Sequence, residues 1–118
     1  YHIVAAVDTT QATAANRCKI YINRVQETSF ATETYPAQNT DMPVNTQNLH
    51  QIGRGTSGDY FNGCMAHVQW VDGLQLAPTE FGEIDSASGI WKIKTASYAT
   101  PGTNGFHLKF ENSANLFQ

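Results

Sequence analysis

The sequence predicts an all-β fold, a sandwich or barrel of short strands, on three observations. Apolar and polar residues alternate at strand spacing, as with Ile3, Ala5 and Val7 against His2, Val4, Ala6 and Asp8. Turn signals punctuate these segments at Asn23-Arg24, Gly53-Arg54-Gly55, Thr56-Ser57-Gly58-Asp59 and Asp72-Gly73. The uncharged polar residues are abundant (13 Thr, 9 Asn, 8 Gln, 6 Ser), and these favour strands or turns over helix.

The elements follow in chain order. After the first strand, residues 8–16 read as a loop with no recognisable turn of its own. Alternation resumes at Arg17, with Cys18, Ile20 and Ile22 on one side and Lys19, Tyr21 and Asn23 on the other. The next strand is expected over residues 25–30, which puts Asn23-Arg24 in a two-residue hairpin turn. Asn tolerates positive φ there, whereas Arg does so poorly; the turn is strained, or Arg24 is kept for a contact. Residues 32–48, broken by Pro36 and Pro43, form a long polar surface excursion of the kind that often carries function. A short strand is expected over 49–52. The segment 64–71 reads as the strongest strand, with a β-bulge near Ala66-His67 bringing Met65, Val68 and Trp70 to one face. Residues 76–82 form the single helical candidate, with Pro78 early and Gly82 at its end. Two late strands follow: 90–94, with Trp91 and Ile93 sharing a face, and 106–110, with Phe106, Leu108 and Phe110 inward and His107 and Lys109 outward.

Size and charge exclude several functional classes. At 118 residues and 13.0 kDa the chain has room for one domain, residues 1–118, and with 41% hydrophobic residues it can build a core. Charged residues make up 14%, well below the roughly 25% of an average domain. A net charge of -3 supplies no basic stripe to neutralise phosphates, so nucleic acid is not an expected partner. No apolar run approaches the roughly 20 residues that span a bilayer, which argues against membrane insertion. Tyr1-His2-Ile3-Val4 does not read as a signal peptide. Cys18 and Cys64 are too few for a disulfide framework or a zinc site. They read as two separate buried thiols, with a single disulfide as the alternative.

The order of motifs resembles the concanavalin A-like, or laminin-G-like, jelly-roll family. The resemblance is carried by Tyr-His-Ile-Val at 1–4, Lys-Ile-Tyr-Ile-Asn-Arg at 19–24, Ile52-Gly53, Tyr-Phe-Asn-Gly-Cys-Met-Ala-His-Val at 60–68, and the Asp72-Gly73 turn leading to Phe81-Gly82. The continuation, Asp85 to Trp91 and Gly-Thr-Asn-Gly-Phe-His-Leu-Lys-Phe at 102–110, is similar to virion proteins of tailed bacteriophages that carry this module. Arg24 departs from the family's hairpin glycine, and His67 from its usual acidic residue. The resemblance implies an antiparallel jelly-roll β-sandwich, complete or partial. It also implies that the chain is a segment of a longer polypeptide, with the strands that precede Tyr1 in the family missing and residues 112–118 running on. By the same resemblance the chain is a structural part of a virion, on the tail or capsid surface, whose partners are other virion proteins or copies of itself. The alternative is a carbohydrate-binding module for host-surface glycans.

Individual motifs narrow the chemistry. Jelly-roll glycosidases use two glutamates on one strand face. Here Glu83 and Asp85 are followed by Ala87 where the second glutamate would stand, and the segment reads as a turn, so no catalytic residues are assigned and no enzyme is expected. His2, His50, His67 and His107 show no metal spacing in the sequence. Candidate glycan contacts are the loop aromatics Tyr35, Tyr60 and Tyr98, with Asp59 and Asn62 beside Tyr60 to receive hydroxyls. Asp59, Asn62 and Asp72 form an incomplete oxygen set for calcium, and no other cofactor is implied. Phe61, Trp70 and Trp91 are expected in the core.

Overall fold

The computed structural model describes residues 1–110 other than Asn45, Thr56, Ser97 and Ala99; the run-on expected for 112–118 lies outside the described residues. Strands dominate. Among the described residues there are seven, in three small antiparallel sheets, and helix is confined to two three-residue 3-10 turns. The chain divides into two compact units, Tyr1–Asp41 with Leu74–Ala99 and Met42–Gly73 with Thr100–Gln118.

The first unit is built on the predicted hairpin. Strand β1 (Ile3–Val7) pairs with β2 (Cys18–Ile22), and β2 pairs with β3 (Val25–Gln26). In this register Ile3 stands opposite Ile22, Ala5 opposite Ile20 and Val7 opposite Cys18, so the alternation read from the sequence becomes one continuous face. The turn residues Asn23 and Arg24 both have positive φ, 47° and 71°. Asn23 also ties the turn to the first strand. Its N–H donates to the His2 carbonyl, and its side-chain oxygen accepts from the His2 N–H, both at 2.8 Å.

Strand β3 is shorter than expected, two residues instead of six. The Glu27 N–H still donates to Ile20, but the Glu27 carboxylate then accepts the N–H groups of Thr28 and Ser29 and turns the chain away. The link between β1 and β2 holds a 3-10 turn, Ala14–Asn16, that composition did not announce. Arg17 anchors it, donating to the carbonyls of Gln11, Ala12 and Pro36 at 2.8–2.9 Å and so fastening the start of the long excursion to the β1–β2 loop.

The helical candidate at 76–82 contracts to Pro78–Glu80, with Pro at its first position. It leads into β5 (Gly82–Ile84), which pairs with β6 (Trp91–Ile93). Glu83 therefore lies on a strand, not in a turn, and pairs across it with Lys92 at 3.4 Å. The turn falls at Asp85, whose carboxylate accepts from the Ser88 N–H and hydroxyl. Gly82 is required by close approach: a Cβ there would lie against the Trp91 indole and 3.0 Å from the Lys92 carbonyl.

The second unit centres on β4 (Val68–Trp70) paired with β7 (Phe106–Leu108). Trp70 stacks on Phe106 with ring centroids 6.3 Å apart. The predicted irregularity falls at His67, whose φ is 52° and whose N–H donates to Lys109 at 3.4 Å. The ladder starts only after it, so the strand does not reach back to Cys64 as expected. At the other end Leu108, within the regular strand, and Phe110, at φ 57°, are both exposed where they were expected inward, and of the three only Phe106 is half-buried. Residues 49–52 form no strand. Gly53, at φ 72°, turns the backbone there, and a single bridge joins Arg54 to Tyr60 beyond it.

Candidate functional site

Burial, not chemistry, sets the most distinctive surface. The hydrophobic side chains that are buried among the described residues are Ala6 (5% exposed) and Phe81 (9%). On the β1–β2–β3 sheet, Ala6 lies on the face shared with Val4, Lys19 and Tyr21. The opposite face carries Ile3, Ala5, Val7, Cys18, Ile20, Ile22 and Val25, and all but the half-buried Cys18 are exposed, Ile3 and Val25 at 67%. A sheet face of β-branched residues in register is the kind of surface that other proteins bury against a second layer.

The predicted glycan residues do not converge on one place. Tyr35 and Tyr98 belong to the first unit, Asp59, Tyr60 and Asn62 to the second. Tyr35 is half-buried at a shallow open depression with Cys18 and Phe30, and its hydroxyl donates to Glu33 at 2.8 Å. That hydrogen bond to a carboxylate raises the phenol's pKa, with desolvation adding to it. At about 220 Å³ the depression falls below the usual range for small-molecule sites. Tyr98 is half-buried edge-on to Phe81, centroids 5.8 Å apart, and serves packing.

Tyr60 is the predicted aromatic that does stand free of the surface, 72% exposed, with the Arg54 guanidinium 5.5 Å from its ring centroid. Asp59 and Asn62 flank it and are exposed. Asp72, the third calcium candidate, is turned elsewhere: its carboxylate accepts from the N–H and side-chain amide of Asn104 at 3.3 Å, while its own N–H donates to Pro101. Among the described residues no three His, Cys, Asp or Glu side chains gather closely enough to hold a metal ion.

Two pairings escaped the sequence because their members lie far apart along it. Trp91 donates its indole N–H to His2 Nδ1 at 3.0 Å, 89 positions away. Burial, and secondarily the Tyr1 ammonium, lower the His2 pKa, which keeps that nitrogen an acceptor. In the second unit His67 Nδ1 lies 3.2 Å from His107 Nε2, joining β7 to the residue just before β4. The suspected bulge at His67 and the outward alternation of His107 were the available signals for this second pair.

Several expectations are corrected. Cys64 is exposed and Cys18 half-buried, and both are free thiols, so neither is the buried thiol expected. Phe61 is exposed, while Trp70 and Trp91 are half-buried. No helix among the described residues is long and apolar enough to cross a membrane. Comparison with protein-family models, with curated proteins and with solved structures matches this chain to none of them.

Proposed function

We propose that this chain is a structural component of a bacteriophage particle, on the tail or the capsid surface, acting by protein–protein assembly with copies of itself or with other virion proteins. The observation that carries the assembly reading is the uncovered face of Ile3, Ala5, Val7, Ile20, Ile22 and Val25. The assignment to a phage virion rests on the resemblance of the motifs at 60–68 and 102–110. In this reading the three-stranded sheet is one layer of a jelly-roll sandwich, and a partner chain supplies apolar cover. Covering each large side chain on the face contributes on the order of 1–2 kcal/mol at ~25 cal/mol per Å², so a handful of them can hold an interface together. No catalytic residue or cofactor takes part.

The test is light scattering of the full chain over a range of concentrations, for the parent and for Ile3→Lys/Val25→Lys. Both positions face solvent in the chain alone, so the double variant is expected to melt within a few degrees of the parent. The parent is expected to gain mass with concentration and to bind an apolar dye, and the variant to do neither. A parent that stays monomeric and dye-free at high concentration refutes the reading.

A second reading, glycan binding, is supported by the exposed Tyr60 ring beside Arg54, Asp59 and Asn62. It requires that binding to a host-surface polysaccharide disappear in Tyr60→Ala while the fold is retained.

A further inference from the structure

We propose that His67 and His107 form a two-imidazole site for one late first-row divalent transition-metal ion, of the Cu(II), Ni(II) or Zn(II) class, clipping the start of β4 to β7. The geometry supports this in three steps.

The separation fits a chelate. A metal held by two nitrogens at about 2.0–2.1 Å places them roughly 2.9 Å apart at a right angle and roughly 3.4 Å apart at the tetrahedral angle. His67 Nδ1 and His107 Nε2 are 3.2 Å apart, inside that interval. In the hydrogen-bonded pair one ring points a lone pair at the other's N–H. For both lone pairs to converge on an ion, each ring turns by roughly 40°, as the same triangle requires. The imidazole that donates the hydrogen bond moves its proton to its other ring nitrogen, and the site then presents two neutral ligands.

The backbone sets that separation. His67 holds φ at 52°, a conformation uncommon outside Gly, Asn, Asp and His. Its N–H stays bonded to Lys109 while the ladder begins one residue later, with Val68 opposite Leu108 and Gln69 opposite His107. The register thus places His67 diagonally beside His107 on one face of the sheet, within reach of its ring, and the left-handed φ sets the angle at which the His67 side chain leaves the backbone.

The ligand set selects the metal. Two imidazoles with open positions for water suit copper, nickel or zinc and disfavour calcium and magnesium, which take oxygen. In the register Gln69, which is neutral, stands opposite His107, and the Lys109 carbonyl accepts the His67 N–H; the Lys109 charge is the nearest along β7's continuation and opposes a bound cation.

The test is titration of the full chain with CuCl2 and, separately, NiCl2, followed by calorimetry and by paramagnetic broadening of the histidine ring protons. His67→Asn keeps a residue that tolerates positive φ, and His107→Gln keeps a polar strand residue. His50→Ala, in the same unit, is the control. One ion per chain is expected, with His67 and His107 broadened first. Each single variant is expected to weaken binding by about tenfold or more, since one of two ligands is lost, and His50→Ala to leave it unchanged. Acid is expected to release the ion, because its ligands must be unprotonated. Absence of stoichiometric binding overturns the proposal. So does equal binding in the parent and both variants, or a loss in His50→Ala as large as theirs.

Discussion

Replacing Arg24 by glycine is expected to stabilise this protein, an unusual direction for a single substitution. Arg24 sits at φ 71°, the second left-handed residue of the hairpin that joins β2 to β3. Holding an L-residue there costs roughly 1–2 kcal/mol. Glycine removes that strain and returns roughly 0.5–1 kcal/mol of it as extra freedom in the unfolded chain. The net gain is about 0.5–1 kcal/mol, a rise in melting temperature of about 2–5 °C for a chain of this length. Asn23→Gly supplies the contrast. Asn tolerates its φ of 47° well, so little strain is relieved, while the 2.8 Å bond to the His2 N–H is lost at a cost of about 1 kcal/mol. Equilibrium urea unfolding of parent and both variants, followed by circular dichroism, separates the two signs. If Arg24→Gly is neutral or destabilising, the strain argument fails and the Arg24 side chain must carry a contact of its own.

Gly82→Ala is expected to cost about 1–3 kcal/mol, because the new methyl collides with the Trp91 indole and neither can shift freely. Thermal unfolding gives the loss, and displacement of the Trp91 indole N–H resonance shows its cause. Acid gives a two-stage response. His2 is lowered in pKa, so its contribution is complete above about pH 6.5 and falls as the pH drops through that value toward its folded pKa. Asp85 is held down to about 2 by Ser88 first and Lys92 second, so its contribution is present above the ordinary carboxylate range and is lost only as the pH falls toward 2. Melting curves from pH 8 to 2 are expected to show both stages, with His2→Phe removing the upper one and Asp85→Asn shrinking the lower, to which Asp8, also lowered by hydrogen bonds from Gln11 and Thr10, contributes.

The sequence was most legible where one local rule acts without competition. Cys18, Ile20 and Ile22 alternate cleanly up to Asn23-Arg24, and the hairpin forms with β2 spanning Cys18–Ile22. Trp91 and Ile93 share a strand for the same reason. Strand ends were less legible, because a side chain can end a ladder that composition would continue. Glu27 captures two backbone N–H groups and stops β3, and β7 ends at Leu108, two residues short of the left-handed Phe110. Residues 49–52 have strand composition, but among the described residues no strand pairs with them, and Gly53, at φ 72°, turns the chain there. For the candidate site, alternation showed that Ile3, Ala5 and Val7 share a face but carries no information on whether that face is covered. The exposure of Tyr60 was legible because it lies among turn residues. The His67–His107 pair was not, because its 40-residue separation is closed only by the β4–β7 register.

The first unit is discontinuous, and this sets an order of events during synthesis. Its hairpin closes over neighbouring residues and can form soon after Gln26 has emerged, on the microsecond scale of such turns. The β5–β6 ladder and the indole that reaches His2 belong to residues made 56 or more positions later (Gly82 onward against Gln26), with most of the second unit's chain translated in between. At roughly 5–20 residues per second, the nascent hairpin waits for seconds with its oily side bare and its final strands unmade. A chaperone that shields growing chains, or an already finished neighbour docking on the ribosome, would find its target in that interval.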